Sequence, residues 1–327
     1  MRSVASDVEV PLVDLAGSWE PGPSRDAVAA RLREACETIG FLVITNHGIA
    51  DEPIADLERA ARGFFALPLD DKLASVGPPG VYRGYTPSEG SALAASRDVE
   101  TPPDLCETYT VNRFDDPDVA ARAGLRPGRE AFFAPNVWPP EPADFQDVFT
   151  TYYAAMEALA GHLMRLMALA LDLDETWFDD KIEHHITNLT VNHYPELDRP
   201  PLPGQLRRGA HSDWGSLTIL HHDGQPGLQV QRGATWTDVP VVPDSFVVNL
   251  GDLMARWTND RWVSTMHRVV VPPDERGDRL SVAFFHQPTY DAVIECIPTC
   301  ASPDDPPKYP TTTSGEWILS MLGKTIY

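Results

Sequence analysis

The sequence has little cysteine and no long apolar run. Among its 327 residues are four cysteines, Cys36, Cys106, Cys296 and Cys300, none of them in a C-x-x-C pair. We therefore interpret them as reduced thiols and expect neither a disulfide framework nor a zinc site. No stretch approaches the roughly 18 apolar residues of a membrane span, and the first twenty residues lack the apolar core of a signal peptide. These absences predict a cytoplasmic protein.

Basic residues are also scarce. The chain has 26 lysines and arginines against 48 aspartates and glutamates, a formal net charge of −22. Nucleic acids and anionic membrane surfaces attract proteins with a basic footprint, so neither is expected as a partner. The hydrophobic content of 43% is nevertheless that of a globular protein with a substantial core. The composition leaves the oligomeric state open.

The hydrophobic pattern changes character along the chain. Helical stripes and one buried strand, FLVIT at 41–45, occupy the start, and residues 73–140 resemble a long loop over a pocket mouth. A long apolar helix is predicted from Asp144 to about Leu171, and after residue 180 short β-runs follow one another. We predict an α+β fold with a mainly β core, a sandwich or barrel on which the helices pack. Residues 1–140 would form the N-terminal region and lid, and 141–327 the spine helix and core, in one compact unit.

His211 and Asp213 are separated by one residue in HSDWGSLTIL. In a strand, residues i and i+2 point to the same face, so both side chains can reach one metal ion. His267, in STMHRVV, is the best candidate for a third ligand from a neighbouring strand. Two imidazoles and one carboxylate with the other positions open form the facial triad of non-haem Fe(II) oxygenases. The open positions admit a cosubstrate together with O₂.

A second i, i+2 pair occurs in DRLSVAFF, where Arg279 and Ser281 share one strand face. A fixed guanidinium beside a hydroxyl suits one end of a dicarboxylate. A metal at one end of a pocket and this pair at the other would match 2-oxoglutarate. Tyr194, in VNHYP, could add a phenol hydrogen bond to the same carboxylate.

At this point the chain resembles the Fe(II)/2-oxoglutarate-dependent oxygenases of the isopenicillin N synthase-like type. The resemblance covers nearly the whole sequence through collinear motifs: GFLVITNHGI, FFALPLDDK, RGYTP, DLCETY, NHYP, HSDWGSLTIL, GLQV, VVNLGDLMARWTND, STMHRVV and RLSVAFF. It implies a double-stranded β-helix core, the jelly-roll or cupin-like fold. It further implies Fe(II) bound by His211, Asp213 and His267. The cosubstrate 2-oxoglutarate would be bound by Arg279, Ser281, Tyr194 and Asn192.

The activity implied by the resemblance is the oxidation of a small molecule, such as an amino acid or a natural-product intermediate, with release of succinate and CO₂. Hydroxylation of an unactivated C–H bond is the default reaction. Two alternatives remain open. One is an Fe(II) oxidase that closes rings or desaturates without 2-oxoglutarate. The other is a non-catalytic binding module, whose expected sign would be a broken triad.

Several other residues receive an interpretation from context. Phe285 lies at i+4 from Ser281 on the same strand face, and Trp214 follows Asp213, so both are candidates for substrate contact. Arg83, in YRGYTP, is a third candidate because it could pair with a substrate carboxylate.

In contrast, the segment LHHDGQPG resembles a hairpin turn, which predicts that the histidines and aspartate at 221–223 are solvated. His193 is interpreted as an ordinary sheet or loop histidine.

Overall fold

The computed structural model of the protein describes residues 9–88, 90, 92–97, 99, 101–272 and 277–325. Its α-helices are α1 (Pro23–Thr38), α2 (Asp51–Phe65), α3 (Leu69–Leu73), α4 (Pro117–Ala123), α5 (Glu130–Phe133), α6 (Phe145–Ala170), α7 (Asp179–Ile182), α8 (Asp252–Trp257) and α9 (Ser314–Thr325). Its strands are β1 (Leu12–Asp14), β2 (Phe41–Thr45), β3 (Gly84–Thr86), β4 (Glu107–Val111), β5 (Asn188–Tyr194), β6 (Arg208–His211), β7 (Leu217–His222), β8 (Leu228–Arg232), β9 (Thr235–Asp238), β10 (Ser245–Leu250), β11 (His267–Val269), β12 (Arg279–His286), β13 (Val293–Ile294) and β14 (Thr312–Thr313). Short 3-10 helices span Leu93–Arg97 and Pro298–Cys300.

Two facing sheets form the core. The main sheet has the order β1-β2-β10-β7-β12-β5-β4-β3, and the small sheet has the order β6-β11-β8-β9. From β5 onward the chain passes repeatedly between them, because β5, β7, β10 and β12 belong to the main sheet and the strands between them to the small one. This winding is the double-stranded β-helix, and the predicted α+β fold with a mainly β core is confirmed.

Helices α1, α2 and α6 cover the outer face of the main sheet. Helix α6 is the predicted spine helix, and its buried residues recur on nearly every turn, as expected for a helix covered on most sides. Together with outward residues of β2, β7 and β12 these helices form the largest apolar cluster. Within the part of the chain that the structure describes, no helix combines the length and apolarity that a membrane span requires.

The segment 73–140 is more ordered than the sequence predicts. Instead of a long loop it contributes β3, the 3-10 helix Leu93–Arg97, β4, α4 and α5. Strand β4 is buried throughout and pairs with β5, so that Thr108 lies opposite Asn192. The many Pro, Gly and Asp residues of the segment lie around these short elements, and their density conceals the strand.

A buried polar network joins this N-terminal region to the core. Glu107 of β4 accepts hydrogen bonds from Lys72 Nζ at 2.8 Å and from the Tyr85 hydroxyl at 2.5 Å, and its other oxygen lies 2.8 Å from His193 Nδ1. Burial alone would raise the pKa of Glu107, but the hydrogen bonds from His193, Lys72 and Tyr85 hold it below its ordinary value. Through His193 Nε2, 3.0 Å from Asp278, the network reaches the residue preceding β12. His193 of β5 thus links Glu107 of β4 to Asp278, the residue before the strand that carries Arg279.

We predict that Glu107→Ala strongly destabilises the fold. The substitution leaves Lys72 as a buried cation without its carboxylate partner, and breaking a buried pair in this way costs about 3–5 kcal/mol. Urea unfolding of both proteins would measure the change in the free energy of unfolding. The control is Glu37→Ala, which removes the half-exposed ion pair with Arg261 and should cost less than about 1 kcal/mol. Equal losses for the two variants would contradict the network's role.

Candidate iron and 2-oxoglutarate site

The three residues of the predicted triad meet where the two sheets face each other. His211 is the last residue of β6, and His267, the first of β11, is its direct pairing partner. The His211 and His267 Nε2 atoms lie 3.8 Å and 3.7 Å from Asp213 Oδ1, and all three ligand atoms fall within 4.8 Å of one another. Asp213 lies two residues beyond the end of β6, so the i, i+2 reach is achieved at a strand end and not inside a strand. This donor set fits Fe(II).

Hydrogen bonds orient each ligand atom. His211 Nδ1 lies 2.7 Å from the Gly209 carbonyl and His267 Nδ1 lies 3.2 Å from the Thr265 carbonyl. Both Nδ1 atoms therefore carry the proton, which leaves the two Nε2 lone pairs facing Asp213. Within the described residues, the hydrogen bonds to the carboxylate go to Oδ2. It accepts from Thr218 Oγ1 at 2.5 Å and from Asn249 Nδ2 at 2.6 Å, so Oδ1 remains for a metal.

The electrostatics favour the protonation states that a metal requires. Burial and the neighbouring His267 lower the pKa of His211 well below its ordinary value. Burial alone would raise the pKa of Asp213, but the two histidines and the hydrogen bonds from Asn249 and Thr218 hold it below its ordinary value. A neutral imidazole and an ionised carboxylate are the forms that bind divalent cations.

At the other end of the barrel interior, β12 is flanked by β5 and β7. The register places Arg279 opposite Tyr194, and Ser281 opposite both Asn192 and His222. The Arg279 guanidinium carbon lies 4.9 Å from the centre of the Tyr194 ring. Arg279 is 1% exposed and its Nε donates to the Gln225 carbonyl at 3.4 Å, whereas its Nη1 has no hydrogen-bond partner in the described part of the chain. A buried cation with an unsatisfied donor fits a carboxylate ligand.

Sequence reasoning missed one charged residue of this face, Arg208. It is buried, donates to the Asn192 side-chain oxygen, and lies 3.6 Å from Asp104. Asn192 and Tyr194 are themselves buried on β5, and burial raises the pKa of Tyr194, so its hydroxyl stays protonated and can donate. Strand alternation could not have shown this, because a residue three positions before His211 would point to the opposite face, and the register shift between His267 and Val269, the partners of His211 and Arg208, is visible only in the structure.

The three candidates for substrate contact have different surroundings. Phe285 is half-buried and lies opposite Thr218, the residue that donates to Asp213, which places it near the triad. Trp214 packs with the aromatic cluster around Phe132 at the C-terminal side of the fold, and its carbonyl accepts from Trp317. Arg83 is 4% exposed and donates to the backbone carbonyls of Tyr82 and Phe132, so its guanidinium is already engaged by the protein.

The prediction that residues 221–223 are solvated turn residues is wrong, because β7 continues through His222. His221 Nε2 lies 2.6 Å from Glu58 on the helix side of the sheet. The Asp223 side chain is 4% exposed, and its Oδ2 accepts from the Leu280 amide and from Arg62, each at 2.7 Å. The turn therefore begins only after Asp223. The strand alternation from Thr218 could have shown that His221 and His222 point to opposite sides.

Comparison with known proteins agrees with this geometry. Residues 10–141 match the N-terminal domain model described as non-haem dioxygenase in morphine synthesis, and residues 186–288 match the 2OG-Fe(II) oxygenase superfamily. The 2-oxoglutarate-Fe(II) type oxidoreductase hxnY of Emericella nidulans is 34% identical over 91% of this chain and 84% of its own length. Jasmonate-induced oxygenase 2 of Arabidopsis thaliana is 33% identical over 95% of this chain and 78% of its own.

Solved structures show the same relationship. A full-length protein of Neurospora crassa, crystallised in complex with alpha-KG, has a TM-score of 0.84 at 30% identity and covers 98% of both chains. JOX2 in complex with 2OG, Fe and JA has a TM-score of 0.77 at 31% identity and covers 96% of this chain and 85% of that one. The chain belongs to the 2OG-Fe(II) oxygenase superfamily. It is an oxidoreductase of the Fe(II)/2-oxoglutarate-dependent dioxygenase type, with Fe(II) as cofactor and 2-oxoglutarate as cosubstrate.

We predict that Thr218→Val weakens metal binding without removing a ligand. The valine keeps the side-chain volume but loses the hydrogen bond that holds Asp213 Oδ2, and such losses typically cost 10–100-fold in metal affinity. Titration of the metal-free protein with Fe(II) under anaerobic conditions would measure the dissociation constant. Thr190→Val is the matched control. It also removes a buried threonine hydroxyl, but that hydroxyl is hydrogen-bonded to Thr110, at 3.0 Å, and not to Asp213. An unchanged affinity in Thr218→Val would contradict the proposed orientation of Asp213.

Proposed function

We propose that this protein hydroxylates an unactivated C–H bond of a small molecule, such as an amino acid or a natural-product intermediate. Fe(II) would be held by His211, Asp213 and His267. The distal carboxylate of 2-oxoglutarate would be held by Arg279 and Ser281, with Tyr194 and Asn192 beside them. The observation that carries the proposal is the Nη1 of buried Arg279, which has no hydrogen-bond partner among the described residues and lies in the same barrel interior as the triad.

Each part of the chain has a separable task in this proposal. When bound, Fe(II) and 2-oxoglutarate couple the conversion of the cosubstrate to succinate and CO₂ with oxidation of the substrate by O₂. The two imidazoles and Asp213 would hold the metal through three protein ligands, a set that leaves room for further ligands. Arg279 would bind the far end of the cosubstrate, and the buried barrel walls would limit the access of bulk water.

The substrate would bind on the triad side, where Phe285 presents an aromatic face near Thr218. Trp214 would shape the same end of the barrel, and Arg83 would support the wall through its bonds to backbone carbonyls. Solved relatives were crystallised with small molecules, thymine in the Neurospora crassa protein and JA in JOX2, which supports a small-molecule substrate. We propose no nucleic acid or membrane partner, since the formal charge of −22 opposes both.

The decisive experiment measures oxygen uptake and succinate release while a panel of amino acids and natural-product intermediates is supplied with Fe(II), with and without 2-oxoglutarate. We expect a substrate to stimulate both signals only when 2-oxoglutarate is present, and mass spectrometry to find a product heavier by one oxygen atom. His211→Ala should abolish both signals. A product that has lost two hydrogens would replace hydroxylation by desaturation or ring closure, and turnover without 2-oxoglutarate would contradict the proposal.

We predict that Arg279→Gln raises the dissociation constant of 2-oxoglutarate by about 100-fold. The reason is that the glutamine removes a charge-assisted, bidentate partner of the distal carboxylate from a buried position. Anaerobic titration of the Fe(II) protein, followed by its charge-transfer absorption, gives the constant. Arg268→Gln is the matched control, because Arg268 stacks on Trp236 in the small sheet and donates to Gln229. Equal affinities in the two variants would exclude Arg279 as the cosubstrate's partner.

A further inference from the structure

His222 points into the barrel interior. Along β7 the alternation is fixed by contacts, because Thr218 reaches Asp213 and Leu220 packs on the apolar cluster inside the barrel. His221 points the other way and contacts Glu58 and the Phe246 ring. His222 therefore shares the face of Thr218 and Leu220. Its direct pairing partner on β12 is Ser281.

His222 and Arg279 border one small cavity between β7 and β12, with space for about one water molecule. Its other walls are mainly apolar and include Leu220 and Leu228. The cavity is too small for a whole cosubstrate, but it shows that the side chains of His222 and Arg279 face a common space.

The hydrogen bonds of His222 fix the position of its proton. The Gly224 amide donates to His222 Nδ1 at 3.2 Å, so Nδ1 is an acceptor and the proton of the neutral ring lies on Nε2. Among the residues that the structure describes, neither His222 Nε2 nor Arg279 Nη1, both buried, has a hydrogen-bond partner. Two buried donors on adjacent strands are thus left for a bound anion to satisfy.

The charge state of His222 agrees with this assignment. Burial lowers its pKa to about 4, and the neighbouring His221 and Arg279 act in the same direction. At neutral pH the ring is therefore an uncharged donor and adds no second cation beside Arg279. Such a pair can satisfy a carboxylate without leaving an unbalanced charge.

We propose that His222 Nε2–H and Arg279 Nη1 together bind the distal carboxylate of 2-oxoglutarate, which makes His222 a further cosubstrate residue beside Ser281. The inference rests on the proposed function, since it assumes that the cosubstrate lies between the triad and Arg279. It assigns a recognition role to a side chain that the sequence pattern placed in a turn.

The test compares three substitutions by anaerobic titration of the Fe(II) protein with 2-oxoglutarate. His222→Leu keeps an apolar side chain of similar size and removes the donor, and we expect a dissociation constant about tenfold higher, the loss typical of a hydrogen bond to a charged group. His222→Gln restores an N–H donor and should return the constant to within about threefold of wild type. His221→Gln is the control and should leave the constant unchanged. If His222→Leu does not fold, His222→Asn, whose amide is too short to reach, takes its place.

A second ligand separates recognition of the carboxylate from general damage. We expect 2-oxopentanoate, which lacks the distal carboxylate, to bind wild type and His222→Leu with the same affinity. Equal weakening of both ligands, or no weakening of 2-oxoglutarate, would overturn the role of His222. If the wild-type protein itself gave no charge-transfer absorption with Fe(II) and 2-oxoglutarate, the proposed function would be contradicted. That result differs from the ones that would contradict only the role of His222.

Discussion

The buried carboxylate of Asp213 is the constraint on which the site depends. An ionised group inside the barrel costs several kcal/mol unless its oxygens have partners. Thr218 and Asn249 supply them for Oδ2 from the main sheet, whereas the two histidines that face Oδ1 belong to strands of the small sheet. The three candidate metal ligands therefore come together only where both sheets meet in the correct register. The strand pairing that defines the fold therefore also positions the side chains of the site.

The strongest sequence predictions were those carried by strand alternation. The run FLVIT became β2 with its predicted bounds, and residues 279 and 281 face the same interior because residues of a strand alternate strictly. Alternation alone does not explain the triad, because Asp213 lies two residues past the end of β6. Period-two patterns are local, so they can be read from one segment alone. The pairing of His267 with His211 is a long-range contact, and the resemblance to a family indicated it more firmly than spacing did.

The predictions that failed concern residues whose local composition and tertiary contacts disagree. Asp-Gly after two histidines is typical of a turn, yet β12 pairs with β7 through His222, and Arg62 holds Asp223 inside. Segment 73–140 is rich in turn residues, yet β4 is drawn into the main sheet by pairing with β5. The partners that decide these two segments are distant in sequence, so no local pattern could reveal them. The substrate contact of Arg83 stays a prediction, and its guanidinium donates to the backbone carbonyls of Tyr82 and Phe132.

The order of the main sheet also determines which backbone is left unpaired. Strand β2 covers the side of β10 that faces away from β7, and β4 covers the side of β5 that faces away from β12. Without the N-terminal strands, the buried strands β10 and β5 would present free N–H and C=O groups at the two margins of the barrel. Such margins recruit other chains and lead to aggregation. By pairing with β10 and β5, the strands of the N-terminal region block intermolecular β-pairing at these margins. An N-terminal region that served only as a lid would leave both margins open.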